Sequence, residues 1–112
     1  MIALFNFNNY LGGGETVFTR WAEYLYKRGI DCRLFYPEKS FIADELHRLG
    51  IPDKNLCPFS GNPNYYYLTD KERASLVNWI YGKLKGLNDV KLVSFCSREL
   101  YTLVDVAKQD AS

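Results

Sequence analysis

A chain of 112 residues leaves room for one compact domain with a modest core and excludes a second of similar size. With 47% hydrophobic and 24% charged residues and no low-complexity tract, the composition is that of an ordinary folded domain and not of a disordered segment. A formal charge of +1, spread over mixed Lys, Arg, Asp and Glu, supplies no long-range field to gather phosphates, which argues against nucleic acid as the main partner.

Short apolar runs of β type alternate along the chain with amphipathic helical stretches, the signature of βαβ units and a parallel sheet. Ile2 to Phe7 (IALFNF) is a near-continuous apolar run, as expected of a central strand covered on both faces. From Glu15 to Arg28, the residues Val17, Phe18, Trp21 and Leu25 fall at helical spacing, and Gly29 after Lys27-Arg28 marks the stop. Asp31 to Tyr36 (DCRLFY) reads as a second strand ended by Pro37, and Phe41 to Leu49 as a short helix ended by Gly50. Lys54 to Phe59 (KNLCPF) is a weaker third strand, because Pro58 removes a ladder donor.

After a turn-rich stretch, Ser60 to Asn64, and three tyrosines comes the strongest helix signal. Thr69 and Glu72 have the spacing of a capping box, Val77, Ile80, Tyr81 and Leu84 line one face, and Gly86 closes the helix. Val90 to Phe95 (VKLVSF) is a fourth strand and Ser97 to Lys108 a fourth helix, with the chain ending where a further strand would begin. The expectation is an α/β fold: a Rossmann-like three-layer α/β/α arrangement with a small parallel sheet of about four strands, thin beside the mean of about five to six.

Cys32, Cys57 and Cys96 are odd in number and lack CxxC spacing, so they read as buried thiols in a reducing compartment. The opening run is too short for a signal-peptide core, and no apolar segment approaches spanning length. The expectation is a cytoplasmic protein, compatible with a peripheral contact at the inner face of the membrane. A single histidine, His47, and scattered cysteines give no metal-ligand spacing, so no metal is expected. His47 itself reads as a surface residue, and the basic pairs Lys27-Arg28 and Lys83/Lys85 as solvated helix ends.

The segment richest in chemistry is Asn8-Asn9-Tyr10-Leu11-Gly12-Gly13-Gly14-Glu15, between the first strand and the first helix. In open parallel sheets, ligands bind outside the carboxyl ends of the strands, where a helix N-terminus offers unpaired N–H groups and a positive dipole end. Three glycines let a ligand approach the backbone closely, so Gly12, Gly13, Gly14 and Glu15 are candidates to cradle a phosphate or sugar; the alternative is a connection whose glycines only permit a tight turn. A P-loop is excluded, because no Lys-Ser/Thr pair follows the glycines. Gly12 and Gly14 match the first two glycines of GxGxxG but Val17 occupies the third position, while Glu38 stands about where a ribose-binding acid would, so a dinucleotide site stays open. A phospho-receiver domain would want carboxylates after the first strand, where this chain has asparagines.

The stretch from Asn9 to Pro37, NYLGGGETVFTRWAEYLYKRGIDCRLFYP, resembles the opening of family 4 (group 1) glycosyltransferases. These begin with a short strand, a loop carrying Gly-Gly-x-Glu, a helix, and a second strand entered through Lys-Arg-Gly. Gly12-Gly13-Gly14-Glu15 and Lys27-Arg28-Gly29 carry the likeness, the His often found before the second strand being replaced by Ile30 or Asp31. VKLVSFCSREL resembles the strand and helix that face the interdomain cleft in that family.

The resemblance implies an incomplete GT-B N-terminal domain, the acceptor side of an enzyme whose donor domain has no counterpart here. It further implies a hexosyl-type transferase acting in cell-surface polysaccharide biosynthesis. Such an enzyme passes a sugar from a nucleotide-sugar donor to a saccharide or lipid-linked acceptor, retains anomeric configuration and uses no metal or cofactor. Its catalytic residues would lie in the missing domain, and this portion would be inactive alone. The physical chemistry agrees, since backbone donors at a helix start stabilise charge growing on a leaving nucleoside diphosphate.

Tyr65, within Tyr65-Tyr66-Tyr67, offers an aromatic face and a hydroxyl for stacking on a sugar ring, or else anchors its loop to the sheet. Ser97, Arg98 and Glu99 open a helix beyond a strand's carboxyl end, placed for acceptor or phosphate contact or for simple capping. Three function classes therefore stand: a sugar-transferase part, an NAD(P)-binding oxidoreductase domain, and a non-enzymatic α/β binding module.

Overall fold

The computed structural model describes residues 1–7, 13–60, 69–95 and 99–110, with the side chains of 13–15, 99–101 and 110 left aside. Strand and helix alternate: β1 (Ile2–Phe5), α1 (Gly13–Lys27), β2 (Cys32–Pro37), α2 (Phe41–Arg48), β3 (Leu56–Phe59), α3 (Asp70–Leu84), β4 (Lys91–Ser94) and α4 (Glu99–Asp110). The strands form a parallel sheet in the order β3-β2-β1-β4. Ile2 stands level with Cys32 on one side and Lys91 on the other, so β1 is central, as its apolar run predicts.

Strand alternation sorts the core into two layers. Leu4, Cys32, Leu34 and Tyr36 point to one face and pack under Phe18, Ala22 and Leu25 of α1 and Ile42 and Leu46 of α2. Ala3, Phe5, Phe35 and Cys57 point to the other and pack under Leu76, Val77 and Ile80 of α3 and Leu103 and Val106 of α4. The fold is thus the three-layer α/β/α arrangement of the Rossmann-like class. Steps β1 to β2 to β3 run one way across the sheet and the step β3 to β4 runs back, with helices on opposite faces, as crossovers of a single hand require.

Several boundaries differ from the sequence reading. The regular part of β1 ends at Phe5, although the Asn6 N–H still donates to the Phe35 carbonyl at 3.0 Å. Pro37 belongs to β2 and does not merely end it, since it takes its place opposite Phe59. Lys54 and Asn55 belong to a 3₁₀ turn, Asp53–Asn55, and not to β3; Asn55 Nδ2 donates to the Cys32 carbonyl at 2.9 Å and pins that turn to the start of β2. Pro58 is accommodated because β3 is the sheet's edge, pairing with β2 alone among the described strands. β4 is shorter than Val90–Phe95 by a residue at each end, and α4 runs to Asp110, past the expected end at Lys108, while the expected start at Ser97 lies outside the described residues.

The face of α1 also needs correction. Val17 and Trp21 do not line the core; they are 45% and 49% exposed, and Phe18, Ala22 and Leu25 take the buried side. At roughly 100° per residue, the 17/21 pair lies about a quarter-turn from the middle of the 18/22/25 stripe, so it falls at the edge of the buried face and not under it. The bulk that fits between α1 and the strands is Phe18, whose ring meets Phe95 edge-on at 5.6 Å.

Caps and stops follow the sequence closely. Glu72 N–H donates to Thr69 Oγ1 and Thr69 N–H to Glu72 Oε1, both at 3.1 Å, completing the capping box of α3. Thr69→Ala removes an acceptor for an otherwise unpaired helix N–H and is expected to lower stability by about 1 kcal/mol, read by urea denaturation, with Thr69→Ser retaining most of it. Gly29 and Gly50 close α1 and α2 at φ of 70° and 74°, the left-handed region that a Cβ disfavours. On α3 the buried residues are Leu76, Val77, Ile80 and Leu84, with Tyr81 half-buried.

Cys32 and Cys57 are buried free thiols as expected, whereas Cys96 lies outside the described residues. His47 is exposed. Among the described residues no helix is long and apolar enough to cross a membrane.

Candidate functional site

The strand order singles out one place in the sheet. From β1 the chain moves to one side through α1, and β4 arrives on the other side of β1 by a crossover over the opposite face. At such a reversal the connections diverge and leave a crevice beyond the carboxyl ends of the two strands. Here those ends are Phe5 to Phe7 of the central strand and Ser94-Phe95 of β4, held level by the bond from Phe95 N–H to the Phe5 carbonyl at 3.3 Å.

Two helices begin at this rim, because each follows a strand that ends there. α1 opens at Gly13 and α4 at Glu99. The edge-on contact of Phe18 with Phe95 ties the second turn of α1 to the exit of β4, so the first turn of α1 lies at the crevice mouth. The first turn of any α-helix carries N–H groups that the helix itself leaves unbonded, and the macrodipole adds about half a positive charge. A crevice served by two such helix starts favours an anionic or strongly hydrogen-bond-accepting ligand.

The sequence-predicted residues fall around this crevice to differing extents. Gly13, Gly14 and Glu15 form the first helical turn of α1, which therefore starts two residues earlier than expected. The glycines are thus helical N-terminal residues and not only a linker, which is the position from which backbone donors face a ligand. Glu99 is the first residue of α4. Gly12, Tyr65, Ser97 and Arg98 lie outside the described residues.

In the sequence Asn6 is only part of the β1 run, yet its position in the fold marks it out. It is 0% exposed and follows the last regular residue of the central strand. Buried side-chain amides in folded proteins are generally hydrogen-bonded. The signal of Asn6 in the sequence is a single polar residue inside IALFNF.

Two observations bear on the dinucleotide reading. Val17, at the third position of the glycine pattern, is exposed and does not face β1, so the close helix-to-strand approach that a third glycine permits is not used here. Glu38 is exposed just past β2, its N–H donating to the Phe59 carbonyl at 2.9 Å.

The ionisable groups beneath the sheet are poor chemical actors. Burial pushes the Cys32 thiol up, with Asp31 adding to the effect, and burial likewise raises the Cys57 thiol; both are protonated at neutral pH and are weak nucleophiles there. Among the described residues no group of three or more His, Cys, Asp or Glu side chains could hold a metal ion. Compared with family models, with curated proteins and with solved structures, the chain matches none.

Proposed function

We propose that this chain is the acceptor-side, Rossmann-like part of a nucleotide-sugar-dependent glycosyltransferase. The observation that carries the reading is the coincidence of the glycine-rich helix start with the β1/β4 reversal point. Gly13 and Gly14 bear no side chain to obstruct a diphosphate or sugar oxygen, and helix amides aimed at such an oxygen hold developing charge without reorganising. The role of these residues is to bind and orient, while the bond-breaking groups come from a separate donor domain. Attachment to a polysaccharide pathway and to the inner face of the membrane belongs to the same proposal, on the strength of the resemblance through Gly12-Gly13-Gly14-Glu15 and Lys27-Arg28-Gly29.

Calorimetric titration with UDP-glucose, GDP-mannose and NADH discriminates the classes. The transferase reading expects weak binding of a nucleotide-sugar, no turnover by this chain alone, and turnover with a donor domain supplied. Tight NADH binding would replace it with the dinucleotide reading, and silence towards all three would leave an interaction module. Gly13→Pro is the sharpest variant, because proline is tolerated in the first helical turn yet lacks the N–H. It is expected to weaken nucleotide-sugar binding by about tenfold, the loss of one hydrogen bond to a charged group, with the circular dichroism of the helices unchanged.

A further inference from the structure

A second concavity lies away from the crevice, on the outer surface between α1 and α2. It encloses 540 Å³, within the range of small-ligand sites, and is bounded by Thr16 and Arg20 of α1 and by Phe41, Asp44 and Leu49 on the α2 side. Phe41 is the unusual member. It is a large aromatic residue 55% exposed at the first position of α2.

The backbone that carries this ring is held in position. Ser40 Oγ accepts from the Ala43 N–H at 3.2 Å and donates to the Pro37 carbonyl at 2.7 Å, which locks the start of α2 to the end of β2. Ile42 and Ala43, the next two residues, are buried, so the helix cannot rotate to bring Phe41 inward. The result is a fixed stretch of backbone that presents a half-exposed aromatic side chain at the edge of the groove.

The charges around it select the ligand class. Arg48 is engaged by Glu45, and Glu23 lies 3.7 Å from Lys27. Among the described residues Arg20 and Asp44 form no ion pair, leaving one cation and one anion that cancel in net charge. With Lys27 counted beside Glu23 the local charges sum to zero, so neither a phosphate nor a metal ion is strongly favoured over a neutral ligand. A guanidinium donates and a carboxylate accepts, each to two neighbouring oxygens at once, and vicinal hydroxyls supply both partners. An apolar ring face beside such a pair complements the C–H face of a sugar.

We propose that the α1/α2 groove binds a neutral saccharide ring, stacked on Phe41 and hydrogen-bonded through Arg20 and Asp44. This site is separate from the β1/β4 crevice and does not depend on the transferase reading. The test is amide NMR of the ¹⁵N-labelled chain titrated separately with the methyl glycosides of glucose, galactose, mannose and N-acetylglucosamine, with inorganic phosphate and glycine as controls. At least one glycoside is expected to move the amides of 16–20 and 41–45 saturably at millimolar concentration, while both controls leave them unmoved. Phe41→Ala is expected to weaken that glycoside by about tenfold and Phe41→Trp to retain it. Because Phe41 is exposed, both variants keep the wild-type spectrum elsewhere, so loss of folding cannot mimic loss of binding. Four silent glycosides, equal binding by Phe41→Ala, or shifts at these amides with phosphate or glycine but no sugar would each overturn the proposal. Movement of the Gly13 and Gly14 amides by UDP-glucose bears only on the crevice.

Discussion

Phe35→Ala is expected to destabilise the domain by about 3–5 kcal/mol, enough to unfold much of the population of a marginal chain of this size. Phe35 is the aromatic pivot of the α3/α4 side of the sheet. Its ring stacks on Phe5 of the central strand at 4.5 Å with an interplanar angle of 16°, and Trp79 of α3 meets it edge-on at 5.7 Å. Truncation removes a fully buried ring and the partner of two others, and both strands are hydrogen-bonded into a sheet that cannot close the gap. Phe35→Leu keeps most of the volume and is expected to cost well under half as much. Urea denaturation followed by tryptophan fluorescence measures both, and Trp79 reports the site directly. A loss below about 1 kcal/mol for the alanine variant would mean that the two rings do not depend on Phe35.

Alkaline pH gives the second large effect. Tyr36 of β2 is buried on the opposite face under α1 and α2, and its phenol is pushed up to about 12, chiefly by burial, with the Cys57 thiolate and then Asp53 and Glu38 opposing its ionisation. In the unfolded chain the phenol ionises near 10, so the folded state retains a proton that the unfolded state releases. The Tyr36 contribution is therefore complete below pH 10 and is lost as pH rises towards the folded value, by roughly 1.4 kcal/mol per unit and about 2–3 kcal/mol in all. Cys32 and Cys57, whose pKa values burial also raises, begin the decline earlier, as their unfolded thiols ionise near 8.5. Thermal unfolding across pH 8 to 12 measures the profile. Tyr36→Phe is expected to abolish the part of the decline above pH 10 and leave the thiol part. A Tyr36→Phe profile that superimposes on the wild type would show that the alkaline loss arises elsewhere.

Both effects arise in strands whose existence and burial are legible in the sequence. Runs such as IALFNF and CRLFY are apolar on both alternations, which only a strand covered on two faces can satisfy, and the glycines after Arg28 and Leu49 close the helices where the chain must reverse. Thr69 and Glu72 prescribe the start of α3 through purely local bonds. Local chemistry of this kind needs no knowledge of distant residues, so it was readable from the chain alone.

Sidedness and adjacency were a different matter. The sequence spacing puts Val17, Phe18, Trp21 and Leu25 on one stripe of α1, and the structure buries Phe18 and Leu25 with Ala22 while Val17 and Trp21 are exposed, because Phe95 and the strands leave space for a ring at Phe18. The glycine segment reads in the sequence as a loop before a helix, but Gly13 and Gly14 are helical, because the first turn of α1 needs no bonds from its own N–H groups and can form over glycine once the rest of the helix is packed. The order β3-β2-β1-β4 brings residues 5–7 beside residues 94–95, far apart in the chain, and no local pattern encodes that neighbourhood. The residues thus determined which segments are strands and helices and where they stop. Only the packing of both helix layers on one sheet decided which helix starts share a crevice, and which aromatic ring, Phe41, is left facing outward beside a groove.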